Sequence, residues 1–384
     1  MGSLRHAAYA ALCTCFLVGE GQPLAYQPNY RSIALRALSR MYAMDFHGAD
    51  LLFKALDSTF GPYAGTAYLR ALSYSWRIEI DPATTWFDSF WERALYITDS
   101  LLDCCYTQPL EKYFIGFANR ALEVRRLYVR GKLIASVWKA RELLSLLEGI
   151  RKYAHLYPEM QLELGLYEYY IAYFYRNYAI MRPILAFFPE GNESQGLERL
   201  ERCANDSLNY TRFEAMYFLG YIYLYQAKIP EKAEYWLRKL STKFPENPLF
   251  RRMWCEALYV LGRYMEAREH ALAWLNKYEE SCHMPPCHLV YDRYPSAEAA
   301  QAYALVGMTY REEKNYAAAQ SAFERMDTLL AKLPRLPAPV WARLTREAAL
   351  LEKRMGKSEA ASRRLKLLQE RDDVPLYLKA PLPD

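Results

Sequence analysis

Residues 300–334 read AQAYALVGMTYREEKNYAAAQSAFERMDTLLAKLP, and the spacing within them decides the fold. Val306, Gly307 and Tyr310, one turn on from Tyr303, fall three and four apart, so they share one face of a first helix. Ala319 and Phe323, following Tyr316, share a face of a second helix in the same way. Gly307 and Ala319 are small where the two helices should cross, which lets the backbones approach and the larger neighbours interdigitate. Lys314 and Asn315 mark the turn, and Pro334 ends the second helix because it cannot continue the hydrogen-bond ladder. The unit is a helix–turn–helix of about 34 residues.

The pattern returns along the chain. Met216, Leu219, Gly220 and Tyr223 repeat the first face, followed by Ala233, Leu237 and Pro245 with one extra residue in the turn. Trp254, Cys255 and Leu258 come next, then Gly262-Arg263-Tyr264 at the turn, then Ala267, Ala271 and Trp274. Near the start, Ile33 and Ala37 precede Phe46, Ala49, Phe53 and Pro62. A weaker last copy carries Ala349, Gly356, Ala361 and Leu365. Degenerate pairs lie between, among them residues 114–129 turning at Gly131 into residues 133–154. Recurrence at a steady period predicts an all-α solenoid of stacked antiparallel helix pairs. The expected organisation is a leader over residues 1–25, a solenoid over 26–372 and a loose tail over 373–384. The clearest repeats are 213–247, 248–281 and 300–334.

This arrangement of small, aromatic and turn residues resembles the tetratricopeptide repeat. A narrower resemblance covers most of the chain after residue 30, to a group of exported bacterial tetratricopeptide-repeat proteins of unassigned function. It rests on the segment GLYEYY…RPILAFFPEGNESQGLERLERCA, and on Met44–Phe53 and Tyr68–Asp81 upstream. Its motifs are diffuse apolar patterns, and the group supplies no catalytic residue to carry over.

Composition sets wide bounds. With 384 residues, 52% of them hydrophobic and 24% charged, the chain can bury a substantial core. A net charge of +5 is too mild a surplus to imply nucleic acid. Tyrosine reaches 34 residues. The favoured reading puts tyrosine at repeat positions with its hydroxyl reaching water; the sharper one makes it the lining of a sticky concave groove.

The first residues, MGSLRHAAYAALCTCFLVGEGQPLAYQPNY, place Arg5 and His6 before an apolar run from Ala7 to Val18 and then a Gly- and Pro-containing stretch. That is the layout of a secretory signal peptide, with cleavage after Gly21 or Ala25, and the run is too short for a spanning helix. The alternative is a first solenoid helix. A lipoprotein version would use Cys13 or Cys15, poorly preceded by Leu12 and Thr14. Export predicts a periplasmic or envelope location; a cytoplasmic one is the alternative.

Five stretches carry residue types that could do chemistry or binding. Glu79 and Asp81 alternate with apolar residues, so both are expected to face outward or pair with Arg77, without a shared acid–base site. The vicinal pair Cys104-Cys105 reads as core. Residues 164–188 are the most apolar, but Glu168, Arg176, Asn177 and Arg182 interrupt them, so a buried helix broken at Pro183 is preferred over a membrane hairpin. Residues 279–296, EESCHMPPCHLVYDRYPS, break the repeat spacing and bring Cys282, His283, Cys287 and His288 around a Pro-Pro turn. A Cys282–Cys287 disulfide, unpaired thiols and a metal set are the three readings, with metal the least favoured. Between Arg335 and Arg371 lie ten basic and four acidic residues, read as the solvated face of a capping helix.

No phosphate-binding Gly loop, His-Glu-x-x-His helix or Gly-x-Ser-x-Gly elbow occurs. The expectation is therefore a non-enzymatic interaction scaffold, with no cofactor, no nucleic acid, and a protein or peptide partner. A membrane-peripheral protein and a metal or redox module at Cys282–His288 are the alternatives.

Overall fold

The computed structural model describes residues 23–104, 109–284, 293–375 and 378–382. Every regular element among them is helical, and consecutive helices pack in antiparallel pairs, so the fold is an all-α solenoid. In chain order the helices are α1 Pro28–Tyr42, α2 Phe46–Phe60, α3 Ala64–Ile80, α4 Asp88–Cys104, α5 Pro109–Val129, α6 Leu133–Ala140 and α7 Leu144–Tyr153. There follow α8 Met160–Asn177, the one-turn α9 Arg182–Leu185, α10 Glu193–Asn205, α11 Arg212–Tyr221, α12 Pro230–Lys243 and α13 Pro248–Val260. The last are α14 Tyr264–Cys282, α15 Ser296–Glu312, α16 Tyr316–Leu330, α17 Ala338–Arg354 and α18 Ser358–Glu370.

One turn geometry is reused at five of the helix pairs. Met44, Gly131, Gly262, Lys314 and Gly356 all have φ between 61° and 76°. The residue after each donates its N–H to a carbonyl five residues back: Asp45 to Arg40, Lys132 to Leu127, Arg263 to Leu258, Asn315 to Tyr310 and Lys357 to Glu352, at 2.8–2.9 Å. This is the Schellman end, in which one left-handed residue lets the chain reverse while satisfying the last carbonyls. In four of these pairs a buried small residue stands seven positions before the left-handed one, at Ala37, Cys255, Gly307 and Ala349. A buried alanine stands five positions after it, at Ala49, Ala267, Ala319 and Ala361. Gly307 shows why the size matters, since a Cβ there would lie 2.7 Å from the Phe323 ring.

The copy with the extra residue solves its spacing inside the helix. After α11 the chain makes a π-helical turn, Ile222–Gln226, and Ile229 reaches back six residues to the carbonyl of Tyr223 at 2.9 Å. Lys228 then takes the left-handed conformation, φ 56°. Widening one turn thus keeps Gly220 against Leu237, where a Cβ would lie 2.5 Å from the Leu237 side chain.

The stack is not a simple succession of neighbours. Tyr42, at the end of α1, packs its ring against Phe213, Phe244 and Phe250, and its carbonyl accepts from the Asn247 side chain at 3.0 Å. Trp76 of α3 meets Tyr217 and Phe250. The first repeat and α3 therefore share one core with the repeat of α11, α12 and α13, across about 170–200 residues of chain. The elongated body with nearest-neighbour contacts that the repeat pattern suggests does not hold over this half, because α3 to α10 bow around and leave a hollow.

The apolar stretch over 164–188 is interrupted at Tyr178, five residues earlier than expected: α8 ends at Asn177, and Pro183 sits in the first turn of α9, where its missing N–H costs nothing. Gly165 of α8 and Gly196 of α10 let those helices nearly touch, since a Cβ on Gly196 would lie 2.7 Å from the Gly165 carbonyl. Among the described residues no helix is long and apolar enough to cross a membrane. In the stretch expected as a loose tail, described residues are fastened: Val374 is buried with Ala338 and Ala342, and the Arg346 guanidinium donates to the carbonyls of Leu378, Ala380 and Pro381.

Candidate functional site

The hollow is a partly open cavity of about 290 Å³ lined by α1, α3, α5, α6, α8 and α11. Its wall is apolar over most of its extent, with Leu69 and Leu72 from α3, Phe114, Phe117, Ala118, Ala121 and Leu122 from α5, and Leu166, Ile171 and Phe174 from α8. The helices that build it are apolar on the inner face and carry charge outside, so the cavity follows from amphipathic helices arranged around a ring too wide to fill.

Polar groups enter this wall at a few points. The Arg125 guanidinium spans Glu79 and Glu214, with Nε 3.0 Å from Glu79 Oε2 and Nη1 2.9 Å from Glu214 Oε2. The remaining oxygens are also taken. Tyr217 donates to Glu79 Oε1 at 2.6 Å; Tyr42, at 3.0 Å, and the Trp76 indole donate to Glu214 Oε1. The guanidinium lies 4.7 Å from the Trp76 ring centroid. Burial works against its charge, but Glu79 and Glu214 outweigh that and hold its pKa above the ordinary value. At another wall, Tyr63 donates to Glu111 at 2.5 Å. Burial pushes the Glu111 pKa up in spite of that bond.

Glu163, on the first turn of α8, differs from all of these. It is 5% exposed, and its Oε2 has no hydrogen-bond partner. Burial, reinforced by Glu159 and Glu214, pushes its pKa up to about 8, so the group is mostly protonated at neutral pH. The Arg125 Nη2 is likewise buried without a partner. Glu159, just outside the wall, is held by Tyr26 at 2.5 Å and Arg31 at 3.1 Å.

The residues singled out from the sequence lie elsewhere. Cys282 closes α14 and is exposed; it neighbours Tyr278, whose pKa is raised by burial first and by the Cys282 thiol among its further causes. His283 caps the same helix and is exposed. Cys287 and His288 lie outside the described residues, as do Cys105 and residues 1–22 with the leader. Among the described residues no group of three His, Cys, Asp or Glu side chains could hold a metal.

Two expectations are corrected. Glu79 neither faces outward nor pairs with Arg77; α3 runs to Ile80, so the apparent alternation is helical and Glu79 points into the hollow at Arg125, while Arg77 pairs with Asp50 at 3.1 Å. Several of the described tyrosines do not reach water with their hydroxyls. Tyr42, Tyr63 and Tyr217, with Tyr223, Tyr225 and Tyr303, place their hydroxyls on glutamates. Glu163 itself went unremarked, although an acid inside the apolar run Met160–Leu166 is a usable sign, because a buried carboxyl requires a reason.

No family model matches this chain, and no curated protein matches it.

Proposed function

We propose that the protein is a non-enzymatic binding protein that receives an apolar ligand in the hollow of its N-terminal half. The observation that carries the reading is the cavity of about 290 Å³ with an apolar wall and a few fixed polar groups, the combination on which ligand sites are built. Saturation of the two paired carboxylates supports the non-enzymatic part. All four oxygens of Glu79 and Glu214 already accept hydrogen bonds, and the wall hydroxyls of Ser136 and Thr211 donate to the Leu133 carbonyl and to Asn209. Neither of these two hydroxyls is therefore paired with a free base.

The same proposal takes the chain as an exported relative of tetratricopeptide-repeat proteins. The leader-like order of residues 1–25 and the helix-pair spacing support that; fractionation of tagged full-length protein tests export. A protein partner, the expectation from the repeats, finds its support outside the cavity. There Trp138 and Phe187 are exposed on either side of Arg141, next in sequence to the lining residues Val137 and Phe188.

The decisive experiment fills the hollow. Ala121→Trp places an indole in the cavity, and binding of an uncharged solvatochromic dye should weaken by at least about tenfold, with the circular dichroism spectrum retained. Unchanged dye binding in a folded Ala121→Trp protein refutes the reading.

A further inference from the structure

What the hollow selects can be read from the chemistry of its wall, an inference that rests on the hollow being a ligand site. We infer that its ligand is a single-headed amphiphile, an apolar chain or ring system bearing one ammonium group or comparable cationic donor, with the head at Glu163 and the body along the inner face of α5.

Three observations lead there. The first is the orphaned acid. Glu163 lines the hollow, is 95% buried by the complement of its 5% exposure, and leaves Oε2 without a donor. A buried acceptor without a partner is costly, so a donor brought by a ligand is worth more here than at a solvated carboxylate.

The second is charge. The wall carries Glu79, Glu111, Glu163 and Glu214 against Arg125 alone, and Arg125 is already bridged by two carboxylates. An anionic head would set a negative charge beside carboxyls, Glu163 and Glu111, that burial already drives toward their neutral forms, whereas a cation lets Glu163 ionise and offsets the charge it takes. Tyrosine faces in the wall, such as Tyr68 and Tyr170, add a cation-binding contribution.

The third is what the wall lacks. An extended peptide brings an N–H and a C=O with every residue, and burying them unpaired is prohibitive. Against that demand the wall offers little: Glu163 Oε2 and Arg125 Nη2 are the buried, unpartnered side-chain atoms found among its lining residues, and the carboxylates of Glu79 and Glu214 are saturated. One polar head on an apolar body fits that distribution; a peptide backbone does not.

The proposal has a pH signature. Glu163 is faced by Glu159 before α8, Tyr68 on α3, Glu214 on α11 and Cys203 on α10. A cationic head stabilises the ionised form of Glu163, so binding below its pKa of about 8 releases a proton and tightens as pH rises.

The test uses the full chain and three probes sharing a ten-carbon body: decylammonium, decanol and decanoate, titrated calorimetrically. Decylammonium should bind at least about tenfold tighter than decanol, with decanoate weakest. Its affinity should rise by up to about tenfold per pH unit between about pH 6 and 8, while that of decanol stays flat. In Glu163→Gln, with its fold checked by circular dichroism, the ammonium preference and its pH dependence should both disappear. If that variant does not fold, the wild-type comparison of decylammonium with decanol across pH still decides. Equal binding of the three heads, tightest binding of decanoate, or displacement of bound decanol by an uncharged apolar peptide overturns the inference while leaving the hollow as a site. Failure of all three probes to bind removes the site itself.

Discussion

Replacing Gly307 by alanine tests the helix crossing on which the repeat depends. A Cβ at this position would lie 2.7 Å from Cδ2 and Cε2 of Phe323 and 3.2 Å from its Cζ. Carbon atoms at rest sit about 3.5–4.0 Å apart, so the ring must withdraw by about 1 Å. Phe323 is 3% exposed and packed in the core shared by α14 to α17, so it has little room to do so. Overpacking of this kind costs about 1–3 kcal/mol. Against it stands the helix preference of alanine over glycine, about 1 kcal/mol. The net expectation is a loss of about 1 kcal/mol for Gly307→Ala, and about 3 kcal/mol for Gly307→Val, whose branched side chain drives further into the ring. Urea unfolding followed by far-ultraviolet circular dichroism measures both. The sharper measurement is a cycle with Phe323→Leu, which shortens the obstructing side chain. In that background Gly307→Ala should become neutral or stabilising, giving a coupling of about 1 kcal/mol. A coupling indistinguishable from zero would refute the reasoning, because α15 and α16 would then not touch at this pair.

Three further outcomes follow from the backbone and from the buried acid. Lys314 takes φ 61° at a helix end that favours glycine, so Lys314→Gly should raise stability by about 0.5–1 kcal/mol in the same urea assay. Met44→Gly, at the equivalent turn, should lower it, because Met44 is 1% exposed and its side chain is part of the core. Glu163 keeps its proton in the folded protein up to about pH 8 but releases it near 4.5 once unfolded, so its contribution to stability falls as pH rises through that window. Glu163→Gln should therefore gain on wild type by up to about 1.4 kcal/mol for each pH unit across the window, read as the difference in urea midpoints at several pH values. A difference that is flat with pH would mean the carboxyl titrates normally.

Much of the local architecture was legible in the chain alone, and the turns show why. Gly262 and Gly356 announce a left-handed residue directly, and Asn315 announces the cap that its side chain makes by accepting from the Ala318 N–H. Lys314, Lys228 and Met44 carry no such mark, and only their fixed distance from Gly307, Ala233 and Ala37 gives them away. The extra residue before Ala233 was countable, but its absorption in a π-helical turn was not, since a longer loop would satisfy the same count.

The candidate site was nearly illegible. Glu79, Arg125, Glu163 and Glu214 sit on four different helices, and each taken alone reads as an ordinary helix charge. Spacing of three and four residues reports which side chains share a face of one helix; it carries no information on which face of a distant helix stands opposite. The alternation around Glu79 misled for that reason, because an inward-facing acid and an outward-facing one have the same neighbours in sequence.

Periodicity by itself determined that the chain folds as paired helices, where each pair turns, and which small residues stand at the crossings. Those properties depend on contacts within about 34 residues, and the local pattern contains them. Only the tertiary structure decided that Tyr42 and Trp76 meet Phe250, that α3 to α10 bow outward, and that a hollow with one orphaned acid remains between them. Small rotations between successive pairs accumulate along the stack, and their sum, set by packing at every interface together, fixes where the chain meets itself.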